Sequence, residues 1–212
     1  MRNAYTAQLG DLNADLCDLA TGAEEAMREA SRALLTADLR AAEEVIARGE
    51  SLAVLGAHCE DEAVKVLALQ APVAADLRRV FSAVRISSDL ARMVGLSVHV
   101  AEAARRRFPD PIVPEDLTEP FEEMARLCQE MCALVVQALR SSELDDIEEL
   151  DRMDDRVDEL KSLVVDRVVA DDATNVVNAV DVALLGRYYE RYADQIVDVA
   201  SRIVFFVSGR KH

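Results

Sequence analysis

Apolar residues recur at helical spacing along six long segments of this chain. The first runs from Tyr5 to Leu35. The second, Asp38 to Leu69, is closed by Ala71-Pro72. The third starts at Pro72, where proline suits a first-turn position, and continues to Arg107. Beyond it, Glu115–Arg140 opens with the acids expected of a first turn. Glu143–Val169 follows, and Ala173–Val207 stops at Ser208-Gly209. On the sixth segment Val182, Leu185, Tyr188, Tyr192, Ile196, Val199, Ile203 and Phe206 are spaced by threes and fours, which predicts a buried stripe. The strong break is Phe108–Pro114, with three of the chain's five prolines. It divides the chain into a unit at 1–107, a linker at 108–114 and a unit at 115–212.

The two units echo each other. Arg92, Val98, Val100 and Ala101 stand 99 residues before Arg191, Val197, Val199 and Ala200. A shift of 105 lays Leu34, Leu39, Glu43, Glu44 and Leu55 over Leu139, Leu144, Glu148, Glu149 and Leu160. The change of offset falls between the second and third helices, where the first unit carries the longer linker. A repeat of three helices, used twice, is the simplest account and predicts an all-α fold of two three-helix units, end to end or side by side.

Composition agrees with long helices. Hydrophobic residues make up 51% of the 212, aromatics 4%, and there are 7 Gly and no Trp. The formal charge of −16 repels phosphate backbones and anionic lipid, arguing against a nucleic-acid or direct membrane partner. Arg105–Arg107 and the tail Arg210-Lys211-His212 read as charges complementing helix C-termini. The start of the chain has no apolar run of signal-peptide length, which predicts a cytoplasmic protein. Cys17, Cys59, Cys128 and Cys132 form no metal-type CxxC pair and read as buried free thiols.

One constellation carries candidate chemistry. Asp154 and Asp158 stand one turn apart on the fifth helix, and Glu190 and Asp194 one turn apart on the sixth. Like charges at this spacing cost a helix roughly 0.2–0.5 kcal/mol. If the two helices are neighbours, four carboxylates converge on one seam and need protons, arginines (Arg187, Arg191) or a cation. An all-oxygen set suits hard ions such as Mg2+, Ca2+, Mn2+ or iron. The alternative is a solvated acidic face. In the first unit the same positions are Gly49, Ala53, Ala91 and Gly95. All four acids are missing together, as a dismantled site would look; Glu50 and Asp89 remain nearby without a partner one turn away.

Three stretches resemble the PhoU family. Gln70-Ala71-Pro72-Val73-Ala74-Ala75-Asp76-Leu77-Arg78 is similar to its Q-x-P-x-A-x-D-L-R linker. Tyr189-Glu190-Arg191-Tyr192-Ala193-Asp194-Gln195 resembles its L-E-R-I-G-D-H signature, and Met153–Asp158 its D-D-x-V-D segment. The likeness spans nearly the whole chain and is greatest to actinobacterial members. It implies two three-helix bundles related by a pseudo-twofold, without catalysis. It implies a cytoplasmic negative regulator of phosphate uptake and phosphate-starvation signalling, bridging the ATPase of a phosphate ABC transporter and a two-component sensor histidine kinase. Homodimers, and contact with the membrane only through those partners, are further implications. The family's metal clusters, held by paired E(D)xxxD motifs, carry over to Asp154, Asp158, Glu190 and Asp194. Iron, zinc, manganese or magnesium are the candidate ions, and the first-bundle site is expected to be absent. In the linker, Asp76 is expected in a first turn, with Arg78 placed to pair back across it.

A second reading is a carboxylate-bridged metal enzyme or metal-storage bundle. Its usual Glu-x-x-His ligands are missing, since none of His58, His99 and His212 has Glu three residues earlier. No Walker-type loop, GxSxG or HExxH occurs. A purely structural dimerisation bundle is the third reading, and it leaves the acids solvated.

Overall fold

In a computed structural model, which describes residues 2–141, 147–170 and 176–208, the periodic segments become six helices. They are α1 (Arg2–Thr36), α2 (Leu39–Gln70), α3 (Ala74–Arg107), α4 (Thr118–Ser141), α5 (Ile147–Ala170) and α6 (Val176–Ser208). A 3-10 turn, Glu115–Leu117, precedes α4, and no strand occurs among the described residues. The expected starts at Glu143 and Ala173, the stop at Gly209 and the basic tail lie outside the described residues.

Local chemistry sets the boundaries. Asp38 ends the α1–α2 turn because its carboxylate accepts from Ala41 N at 3.0 Å, capping α2, and from Arg32 at 2.7 Å. The third helix starts later than its sequence pattern predicts. Ala71 is left-handed (φ 43°) and Val73 extended (φ −126°, ψ 158°), so Pro72 belongs to the crossing and Ala74 opens the helix. Asp76 does sit in the first turn, but Arg78 does not pair back: its Nε is buried without a hydrogen-bond partner. Arg105–Arg107 fill the last turn of α3, as expected. The proline-rich segment is not a free tether, since Ile112 and Val113 are buried in the core.

Helices α1–α3 pack on one another, as do α4–α6, and the two sets lie side by side through α3 against α6 and α1 against α4. Along the α3–α6 seam the contacts run in opposite sequence directions. Arg79 lies over Phe206, Arg202 pairs with Asp89, the His99 ring meets Tyr188 at 5.3 Å, and Arg106 and Arg107 reach Asp181 at 3.5 and 3.6 Å. The two helices are therefore antiparallel, as a pseudo-twofold between the halves requires. The sequence offsets hold in space. Ser87 Oγ donates to Gly56 O at 2.8 Å, and their counterparts Gly186 and Lys161 face each other in the second half.

One continuous core joins the halves. On α1, Ala20, Ala23, Ala30 and Ala33 are fully buried, and two large residues of α6 reach this helix. They are Tyr189 and Tyr192, both fully buried. Tyr189 Oη donates to Ser31 Oγ at 2.7 Å and Tyr192 Oη to Ala23 O at 3.0 Å, so neither buried hydroxyl is left unpaired. The predicted α6 stripe is buried except at Tyr188 and Phe206, which are half-buried, and it widens to include Tyr189. All four cysteines are free and buried, as expected.

Candidate functional site

The acidic residues sit where α5 and α6 run against each other. Along α5, Leu150, Val157, Leu160 and Val164 face the core, and Asp154 and Asp158 follow one edge of that stripe. On α6, Ala193 is buried beside Glu190 and Asp194. The side chain of Glu190 is only 12% exposed, Asp154 is half-buried, and Asp158 and Asp194 face solvent.

Their electrostatics mark one shared environment. Burial pushes the Asp154 carboxyl up to about 6, and the negative charges of Asp194, Asp158, Asp155 and Asp151 add to the shift. Glu190 is raised chiefly by burial, against the lowering effect of Arg187 and Lys161. Asp194 is raised by burial and then by Asp158. Asp154, Glu190 and Asp194 thus each feel a carboxylate of this set on the facing helix. Two of them, Asp158 and Glu190, also line an open cleft of about 840 Å3 with Lys161, Asp166 and Arg167.

As donors these carboxylates suit a hard cation. As placed, the side chains are not gathered around one point: no group of three His, Cys, Asp or Glu residues among the described residues is positioned to hold a metal ion. Arg187 instead holds Glu190 through both carboxylate oxygens. A cation therefore requires Glu190 to leave Arg187 and the other acids to turn inward. Lys161 at the seam was not foreseen from sequence, although the repeat places it opposite Gly56.

The first-half counterpart is closed at Gly49. A Cβ added at Gly49, the counterpart of Asp154, overlaps Val98 Cγ2. One at Gly56 comes to 3.3 Å from Ala91 Cβ. Any side chain at 49 must push the Val98 side chain aside. In the second half a Cβ at Gly186 meets Lys161 Cγ and Val164 Cγ1 at 3.7 Å, which is ordinary contact. Ala53 is exposed and Gly95 has open space around its Cβ position, so packing alone accounts for one missing acid of the four.

The family's domain model, PhoU domain, matches twice, at residues 16–104 and 121–203. This chain belongs to the PhoU family. The two matches fall one in each helical half, as the repeat requires. The chain is 40% identical to the phosphate-specific transport system accessory protein PhoU homolog 1 of Mycobacterium leprae (strain TN), over 99% of this chain and 95% of that protein. It is equally similar to homolog 2 of Mycobacterium tuberculosis (strain ATCC 25618 / H37Rv), over 99% of both. The expected likeness to actinobacterial members of the family is borne out. In fold it matches crystal structures of PhoU from Pseudomonas aeruginosa (TM-score 0.88, 21% identity, 97% of this chain and 100% of that one) and of the regulatory protein PhoU from Streptococcus pneumoniae (TM-score 0.84, 22% identity, 98% and 99%).

Proposed function

We propose that this protein is a non-catalytic accessory regulator of phosphate-specific transport. It acts in the cytoplasm as an adaptor between the ATPase of a phosphate ABC transporter and a two-component sensor histidine kinase, and it lowers starvation signalling when phosphate is plentiful. The observation that carries this reading is the end-to-end 40% identity to proteins named as accessory to phosphate-specific transport. Two structural facts support it. Among the described residues no helix is long and apolar enough to cross a membrane. The cysteines are poor nucleophiles: burial pushes the Cys132 thiol up to about 12 and Cys59 to about 11, keeping both protonated. Deleting the gene should leave phosphate-starvation genes on in phosphate-rich medium. Affinity capture from phosphate-replete cells should recover the ATPase or the kinase. Normal repression in the deletion strain, with no second copy of the gene, counts against the adaptor.

The same reading assigns a hard cation to Asp154, Asp158, Glu190 and Asp194 in the second half, with none in the first, and a homodimer as the working state. What supports the metal is that burial, with neighbouring carboxylates adding to it, raises three of these carboxyls, so that a cation at the seam would relieve their charged forms. The cation would supply positive charge at the seam and draw Glu190 off Arg187.

A further inference from the structure

A cleft at the middle of the molecule belongs to neither half alone. It opens where α3 crosses α6, has a volume of about 570 Å3, and is lined by Arg92, Gly95, Leu96 and His99 from α3 and by Arg187, Tyr188, Arg191 and Gln195 from α6. Arg92 and Arg191 are counterparts in the repeat. Because α3 and α6 are antiparallel about the pseudo-twofold, equivalent residues near its axis come to the same place. Arg187 adds a third guanidinium, so a chain of net charge −16 concentrates three cationic side chains in one concavity, with the His99 imidazole beside them.

A second, independent feature lies in the wall of the same cleft. Gln195 is 6% exposed, and its side-chain Oε1 is buried with no hydrogen-bond partner. A buried amide oxygen without a partner costs stability, and the residue that carries this one lines the cleft. A half-turn of its terminal group presents NH2 donors in place of the oxygen.

The surrounding acids do not use up the cationic groups. Asp89 stands 3.7 Å from Arg92, Glu102 is 3.4 Å from His99 Nδ1, Glu190 holds Arg187, and Asp194 lies close enough to feel Arg191. Asp89 itself is taken chiefly by Arg202. Each guanidinium has five N–H donors, and one partner satisfies two at most. Gly95 has open space where a side chain would stand, leaving room between the arginines.

We propose that this cleft is a binding site for a phosphoryl oxyanion, held by Arg92, Arg187 and Arg191 with Gln195 donating from the floor. A tetrahedral oxyanion of two or more charges can accept from several guanidinia at once, which a singly charged carboxylate matches less well. The phosphoryl group is carried either as free inorganic phosphate or at the end of a larger phosphorylated molecule. The proposal rests on the cleft and not on the adaptor reading, and the site shares Arg187 with the acidic seam, so an anion and Glu190 compete for that guanidinium.

The test is calorimetric titration of the purified full chain with inorganic phosphate, pyrophosphate and ATP at constant ionic strength, with sulfate as a control. Saturable binding by at least one phosphate probe is expected, weakened at least about tenfold in Arg92→Gln/Arg191→Gln. Gln195→Leu should weaken it several-fold, and Arg126→Gln, in the α4 pair with Glu130, should leave it unchanged. Binding of inorganic phosphate as tight as that of ATP identifies free phosphate. Preference for pyrophosphate and ATP identifies a larger phosphorylated ligand. No saturation by any probe up to about 10 mM, or undiminished affinity in the double variant, overturns the proposal. If the double variant loses its helical circular dichroism, Gln195→Glu serves instead: it keeps every arginine and adds a negative charge, and retained binding in that variant is equally fatal. Failure here leaves the gene-deletion phenotype intact, so the two readings fail separately.

Discussion

The hairpins α2–α3 and α5–α6 descend from one repeat and solve opposite packing problems. In the first, glycine at 49 and 56 lets Val98 and Ala91 press onto α2, and the seam is closed by carbon. In the second, the same positions carry Asp154 and Lys161 on α5 facing Asp194 and Glu190 on α6, and the seam is held by charges that burial makes unfavourable. A helix pair can thus keep its place in the repeat while exchanging van der Waals contact for electrostatics. The cost of the second arrangement shows in the raised carboxyls, and only a cation or proton removes it.

The comparison can be broken outright by metal content. After incubation with iron, zinc, manganese or magnesium and removal of free ion, the protein should retain metal at the second hairpin only. Glu190→Ala with Asp194→Ala should lose it completely; equal metal left in that variant would place the site elsewhere or divide it between the halves.

Next in size is Gly49→Asp, which forces the charged pattern onto the closed hairpin. Overlap with Val98 and burial of a carboxylate should cost about 3 kcal/mol or more in urea unfolding. Adding Val98→Ala should recover part of the loss. A neutral Gly49→Asp would show that the first seam opens easily.

The charge term alone is read by Asp154→Asn in metal-free protein. A carboxyl pushed up to about 6 in the folded state holds its proton more tightly than at the unfolded value of about 3.9. Its penalty on folding is therefore present in full above pH 6 and disappears as pH falls through that window to about 4. The Asn variant should be more stable by about 1 kcal/mol at neutral pH, a figure reduced for partial exposure, and the gain should vanish near pH 4. Glu190 and Asp194, also raised, act in the same direction. A gain that grows on acidification contradicts the sign.

Smallest is Gly95→Ala. With nothing within 4 Å of the added Cβ, it should stabilise α3 by roughly 0.5–1 kcal/mol. Gly49→Ala, on the same hairpin, should destabilise. Equal effects at the two glycines would remove the distinction between a position emptied by packing and one that is merely small.

Much of this was legible in the residues. Spacing by threes and fours marked all six helices, because a long amphipathic helix repeats its signal many times and each turn confirms the last. The α2–α3 crossing was read two residues early because Pro72 suits a first turn as well as an extended crossing, and only the left-handed Ala71 distinguishes them. Asp154, Asp158, Glu190 and Asp194 were found by one-turn spacing plus an aligned repeat, and they do share one electrostatic environment. Arg187's hold on Glu190 depends on rotamers, which spacing does not encode. The α3–α6 cleft was missed although the Arg92–Arg191 match was in view, since a repeat does not say that its copies meet.

By itself the sequence determined helices, duplication, family and the asymmetry of the acids, all of which are local or periodic properties of the chain. Tertiary structure decided which copies touch. The antiparallel crossing of α3 and α6 turns two distant, equivalent arginines into neighbours, and the closeness of Val98 to Gly49 turns a missing side chain into a steric requirement. Both follow from distances between helices, which depend on the whole core and on no single stretch of residues.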